Sequence, residues 1–268
     1  MARNCKVLVL GLALLASSAA ACGSDTAADG PGAGGSDGTV LTVAAASSLT
    51  DAFETIAAEF EATHPEVEVR LTFDSSGTLA TQALEGAPID VLATADEESM
   101  APVVDTGLVE GETELFAGNL LTIVTRADEP GVDPYGPELG EVEVLALCAS
   151  TAPCGRIADR RLAALMEEGT ISEDHITRAP NARATLAAVL DGDADAAIVF
   201  ATDARAAGDR VRAFELGMDE QSPDTMYPIA TLAGSAEPEL ARAFVELVLS
   251  DEGRDALRAE GFMLIGEG

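Results

Sequence analysis

Lysine occurs once in the 268 residues, at Lys6, and histidine only twice, at His64 and His175. With its one lysine in the N-terminal segment, the chain can form no Walker-type phosphate loop, and it carries no dinucleotide fingerprint either. Basic residues number 15 against 47 acidic ones, a formal charge of −32. No cluster of cations exists to displace phosphate counterions, so nucleic acid and anionic membrane surfaces are excluded as direct partners. A serine hydrolase needs a Gly-x-Ser-x-Gly elbow and a histidine oriented by a carboxylate. The elbow is absent, His64 stands before Pro65 at a helix end, and His175 ends the acidic turn Ser172-Glu173-Asp174-His175. Both histidines read as solvated loop residues. Among the acids no pair stands in an apolar setting that would raise a pKa for glycosidase chemistry. Elimination favours binding over catalysis. A secreted hydrolase stays open as the other-class alternative, and would show a cleft carboxylate or histidine of perturbed pKa.

What is present is 47% hydrophobic, and long enough for one large or two medium domains. The N-terminus reads as a targeting segment. Arg3 and Lys6 precede an apolar run over residues 7–16, and small residues lead to Cys22. The run Ala19-Ala20-Ala21-Cys22-Gly23 resembles a lipobox, in which cleavage exposes a cysteine for lipidation, although Ala19 is smaller than the usual aliphatic residue there. Residues 1–21 are therefore expected to be a signal peptide. Residues 22–38, rich in Gly, Ser and Asp, would be the lipidated Cys22 and a flexible tether. Ordinary signal cleavage after the alanines is the alternative. Loss of Arg3 and Lys6 takes the formal charge from −32 to −34. The expected location is extracytoplasmic, with the membrane reached through the lipid anchor only. In that oxidising setting Cys148 and Cys154, with five residues between them in Cys-Ala-Ser-Thr-Ala-Pro-Cys, predict a disulfide. A metal pair is the rival reading, with neither histidine close by in sequence.

From Thr39 the chain alternates short apolar runs with amphipathic segments, which predicts an α/β fold. Strands are expected over 41–45, 67–73, 89–93, 120–124, 142–147, 196–200, 211–216 and 229–232. Helices are expected from Ser48, as N-cap, to His64, and over 78–85, 97–105, 156–168, 182–190, 239–249 and 252–260. Two such units with no long linker suggest two lobes around a cleft.

Two strand-to-helix junctions carry small hydroxyl residues. Ala44-Ala45-Ala46-Ser47-Ser48-Leu49-Thr50-Asp51 follows the first strand, and Asp74-Ser75-Ser76-Gly77-Thr78-Leu79 the second. In open α/β sheets, ligands bind beyond the strand carboxyl ends, where helix N-termini offer free N–H groups to an anion. Each serine could instead simply cap its own helix.

These junctions, together with Gly-Ala-Pro-Ile-Asp-Val (86–91), Ala-Thr-Ala-Asp (93–96), Phe-Ala-Gly-Asn-Leu-Leu-Thr-Ile-Val (116–124), Pro-Cys-Gly-Arg (153–156), Ala-Ala-Ile-Val-Phe-Ala-Thr-Asp-Ala (196–204) and Tyr-Pro-Ile-Ala (227–230), occur in one collinear order. The sequence in this respect resembles the molybdate-binding protein of bacterial ABC importers. The resemblance implies a two-lobed type II periplasmic-binding-protein fold hinged on crossover strands. Lobe one would comprise 39–119 plus 229–268, and lobe two 120–228. It further implies a monomer without enzymatic activity or cofactor, holding molybdate or tungstate and delivering it to an ABC permease. No side chain would ligate the metal; the oxyanion would be held by hydroxyl and main-chain donors at Ser48, Ser76, Cys154, Ala182 and Phe200. At Phe200 the tyrosine of some members is replaced by a residue without a donor. Thr202, Tyr227 or a water would then donate, or the pocket makes one bond fewer. Arg156 and Arg183 are expected as surface or interlobe salt-bridge formers.

Screening confines the acidic field to roughly 8 Å at physiological salt, so local donors decide affinity. Phosphate is the nearest rival ligand, since Asp74 could accept the proton of hydrogen phosphate, but alternation along 67–73 predicts that Asp74 points away. Sulfate stays open beside phosphate. A small organic anion would call on Arg156, Arg183 or Asp203.

Overall fold

The computed structural model describes residues 38–128, 139–216 and 222–266. The expected signal peptide, Cys22 and the tether up to Asp37 lie outside the described residues. Gly38 to the C-terminal end of the described chain forms one compact unit, and among the described residues no helix is long and apolar enough to cross a membrane.

The chain opens with β1 (Thr39–Ala46), α1 (Thr50–Thr63), β2 (Val67–Asp74), α2 (Ser76–Leu84), β3 (Val91–Ala93), α3 (Glu97–Asp105) and β4 (Glu114–Asn119). It continues with β5 (Leu121–Arg126), β6 (Leu145–Cys148), α4 (Pro153–Glu167), β7 (Ile176–Ala179), α5 (Ala182–Leu190), β8 (Ala196–Phe200), α6 (Ala201–Ala207) and β9 (Val211–Glu215). It closes with β10 (Thr225–Thr231), α7 (Pro238–Leu249), α8 (Asp251–Ala259) and β11 (Met263–Leu264).

The strands form two sheets. The first has the order β11-β4-β10-β3-β1-β2, the second β7-β6-β8-β5-β9. The βα units supply the parallel pairs β1–β2, β1–β3, β6–β7 and β6–β8. The antiparallel pairs involve β4, β5 and β10, which lie next to the passages between sheets. Leu120 alone separates β4 from β5. Asp224 fixes this crossing: its N–H donates to the Asn119 carbonyl at 2.8 Å and its carboxylate accepts from Leu121 N–H at 2.8 Å. Arg161 pairs with the same carboxylate.

Buried apolar faces hold each layer together. In the first sheet Phe53, Phe60, Phe116, Phe244, Tyr227 and Phe262 pack edge-on or tilted, with centroid separations of 5.4 to 6.1 Å. Phe53 and Phe60 come from the apolar stripe of α1 and Phe244 from that of α7, which seals the sheet from outside.

Several expected boundaries move, each for a local reason. Ser48 does not cap α1: a 3-10 turn over Ser47–Leu49 precedes the helix, whose N-cap is Leu49 without a side-chain bond. α2 starts at Ser76, not at 78, because Ser75 is its cap and accepts from Thr78 N–H. β3 and β6 are shorter than expected, with apolar residues before them buried outside the ladders. β10 begins at Thr225 rather than 229 and accommodates Pro228 at a register shift after Tyr227. The strands β4, β7 and β11 and the helix α6 lie outside the expected set. β7 is a four-residue edge strand with no fully buried position, so it carries no apolar signal.

Candidate functional site

At the carboxyl ends of β1, β2 and β6, helix N-termini from both sheets converge on a narrow cavity. The five residues singled out in the sequence, Ser48, Ser76, Cys154, Ala182 and Phe200, all line it, with Asp74 and Asn181 among their neighbours. Ser76 and Cys154 stand in the first turn of α2 and α4, and Ala182 begins α5. N–H groups in a first turn have no partner inside their helix, and the dipole makes that end positive. Pro153 at the first position of α4 has no N–H, so Cys154 presents the first free one.

The Cys148–Cys154 disulfide is formed, with the Cα atoms 5.8 Å apart, and ties the end of β6 to the start of α4. Gly155 follows because nothing larger fits. A Cβ there would stand 2.1 Å from the Ala149 carbonyl oxygen.

Both serine oxygens have a hydrogen-bond partner inside the protein. Ser76 Oγ accepts from Ala95 N–H at 2.8 Å, and Ser76 is fully buried. Ser48 Oγ lies 2.8 Å from the Tyr227 hydroxyl. Phe200 contributes only its ring, and neither Thr202 nor Tyr227 is among the described lining residues. Both are instead held by Asn119, which donates to Thr202 Oγ1 at 2.9 Å and to the Tyr227 hydroxyl at 3.2 Å.

The described lining holds no cation. Arg156 leaves α4 to bond Asp96 and Ser99 on the α3 side, and Arg183 leaves α5 to pair with Asp51 of α1. Both thus join the helices of one sheet to those of the other, beside the cavity. Asp203 lies behind Arg183, fully buried, 3.3 Å from its Nε. Burial raises its carboxyl to about 7 against the opposing pull of Arg183. Asp74 departs from the expectation that it points away: at the carboxyl end of β2, paired with Ala46 of β1, it lines the cavity. Its Oδ1 accepts from Ser75 N–H at 2.6 Å and from Asn181 Nδ2 at 3.2 Å.

Sequence reasoning passed over Asn181, Asn119 and Ala95. Asn181 was findable as an N-cap, since its Oδ1 accepts from Ala184 N–H. The contacts of Asn119 and Ala95 join residues 19 to 108 positions apart and leave no local pattern.

A cavity between two sheets, lined by helix N-termini and serines with no described cation and with its one described carboxylate, Asp74, held by Ser75 N–H and Asn181, suits a small anion that accepts hydrogen bonds. The chain matches the family described as bacterial extracellular solute-binding protein over residues 41–263. The molybdate-binding protein ModA of Mycobacterium bovis is 34% identical over 256 residues, which cover 93% of this chain and 94% of that protein. Among solved structures, the periplasmic molybdate-binding protein of Azotobacter vinelandii superposes with a TM-score of 0.74 at 21% identity, covering 84% of this chain and 99% of that one. The sulfate-binding protein SubI of Mycobacterium tuberculosis does so with a TM-score of 0.71 at 17% identity, covering 85% and 88%. These last two share the two-lobed architecture. This chain belongs to the bacterial extracellular solute-binding protein family, in the group that includes ModA.

Proposed function

We propose that this protein captures molybdate or tungstate between its two lobes and hands it to an ABC permease. In this reading it is a monomeric, non-enzymatic receptor held outside the cytoplasm by a lipid on Cys22. Lobe one is 39–119 plus 229–268 and lobe two is 120–228. The oxyanion accepts from the hydroxyls and N–H groups of Ser48 and Ser76 and from the N–H groups of Cys154 and Ala182. Phe200 closes the cavity without donating.

The observation that carries this reading is the absence of any cation from the described lining, where helix N-termini and the serines of two strand-to-helix junctions meet instead. Hydrogen bonds to a charged group contribute about 1.5–3 kcal/mol each, so a handful of donors can hold a dianion without an arginine. Molybdate, tungstate and sulfate are fully ionised near neutral pH and only accept, which matches a donor lining; cavity size then separates molybdate from sulfate. The relative ModA, named for molybdate binding, supports the choice of ion.

Hydrogen phosphate is the second reading, because Asp74 lines the cavity and could take its proton. Asp74 Oδ1 is already engaged twice, which opposes it. Thermal shift and titration calorimetry with molybdate, tungstate, sulfate and phosphate decide between them. A ligand of the folded state stabilises by RT ln(1 + [L]/Kd). Molybdate and tungstate are expected to raise Tm strongly, and sulfate and phosphate weakly. A larger phosphate shift would transfer the assignment to phosphate, and no shift with any oxyanion would refute it.

A further inference from the structure

We infer that Tyr227 is a specificity-determining positioning residue: its buried hydroxyl, oriented by Asn119, directs the Ser48 proton into the cavity and sets Ser48 to donate to the ligand. This rests on the reading of the cavity as an oxyanion site.

Asn119 is where the orientation starts. Its Oδ1 accepts from Leu120 N–H at 2.9 Å, so the amide cannot flip without setting its NH2 group against another donor. Nδ2 therefore faces the two hydroxyl oxygens, Thr202 Oγ1 at 2.9 Å and Tyr227 at 3.2 Å. With Asn119 donating to it, the phenol still has one proton to place. The Ser48 Oγ lies 2.8 Å away. If Ser48 were the donor in this contact, Tyr227 would receive two protons and leave its own unpaired in a fully buried position. Such a buried, unsatisfied donor is strongly disfavoured. The phenol therefore donates to Ser48, and the Ser48 proton is left for the cavity that this serine lines. Burial also pushes the phenol pKa upward, so the proton stays on it at working pH.

Ser76 is committed in the same sense by a different partner. Its Oγ accepts from Ala95 N–H, which frees its own proton for the cavity. Both hydroxyls of the site are thus preset to donate, and an anion that carries a proton finds an acceptor at neither. A fully deprotonated oxyanion fits both hydroxyls, whereas the proton of hydrogen phosphate is left to Asp74, whose Oδ1 is already engaged twice. Phe200, which offers no donor of its own, packs its ring 6.1 Å from that of Tyr227. The phenol of this protein acts one residue removed from the ligand, through Ser48.

The test is Tyr227→Phe, titrated at pH 8 with molybdate and with inorganic phosphate, beside wild type. Removing the phenol lets Ser48 Oγ accept as well as donate. Molybdate binding is expected to weaken about tenfold, the equivalent of about 1.4 kcal/mol, while phosphate binding weakens less or improves. The molybdate-to-phosphate preference should therefore fall at least about fivefold, a change within the range of one hydrogen bond. Equal losses for both anions would show a merely structural role and overturn the inference, as would unchanged binding of both. If Tyr227→Phe does not fold, Asn119→Ala takes its place, since it removes the donor that sets the orientation. The same narrowing supports the inference and a wild-type preference overturns it. Should wild type itself bind no oxyanion, the reading of the site fails first, which separates the two failures.

Discussion

Replacing Ser76 by alanine tests the site at the position where two functions of one oxygen can be told apart. Inside the protein, Ser76 Oγ accepts from Ala95 N–H at 2.8 Å, in a fully buried setting. Loss of that acceptor strands a buried N–H, which costs about 1–3 kcal/mol of stability. Toward the cavity, the same change deletes a hydroxyl donor to a charged ligand. That loss is worth about 1.5–3 kcal/mol in affinity, or roughly 10- to 150-fold in Kd. Its main-chain N–H survives, so binding weakens rather than disappears. Neighbouring Ser75 supplies the contrast, because its Oγ is occupied by Thr78 N–H and Thr78 Oγ1 as the cap of α2. Ser75→Ala is expected to cost about 1 kcal/mol of stability with little change in affinity. Titration calorimetry with molybdate and chemical denaturation of the apo forms read the two quantities separately. Unchanged molybdate affinity in Ser76→Ala, with wild type binding normally, would refute the assignment of Ser76.

Three further perturbations follow from the geometry. Gly77 of α2 faces the loop before α4, and a Cβ there would stand 2.9 Å from the Thr151 carbonyl oxygen. Gly77→Ala should force the two sides apart, raising the molybdate dissociation rate in stopped flow and lowering the Tm. Asp203 titrates near 7 in the fold against an ordinary value of 3.8. The native state thus binds more protons than the unfolded chain between about pH 4 and 7, and this residue makes stability fall as pH rises through that window. Asp203→Asn should flatten the slope, measured by urea denaturation at pH 5 and pH 8; a slope equal to wild type would contradict it. Replacing both Cys148 and Cys154 by alanine removes a short-loop constraint worth about 2 kcal/mol. A matching drop in denaturation midpoint is expected, together with weaker molybdate binding, because the start of α4 loses its tie to β6.

The α/β class, most helices and the serine-bearing junctions were legible in the sequence because each is local. Phe53, Ile56 and Phe60 recur at helical spacing, and alternation over 67–73 marks β2. Cys148 and Cys154 were paired correctly for the same reason, being six positions apart. What failed was either weakly patterned or at an element's end. β7 buries too little to alternate visibly, and Asp74, the final residue of β2, lines the cavity at the strand's carboxyl end.

By itself the sequence determined the order of the βα units, the shortage of cations and the placing of small hydroxyl residues where strands turn into helices, since all of these depend on neighbours along the chain. Only the tertiary structure decided what those hydroxyls do. Ser48 meets Tyr227 across 179 residues, Asn119 meets Thr202 across 83, and Arg183 reaches Asp51 across 132. The direction in which a hydroxyl proton points is set by such partners, because a buried oxygen takes whichever role leaves no donor unpaired.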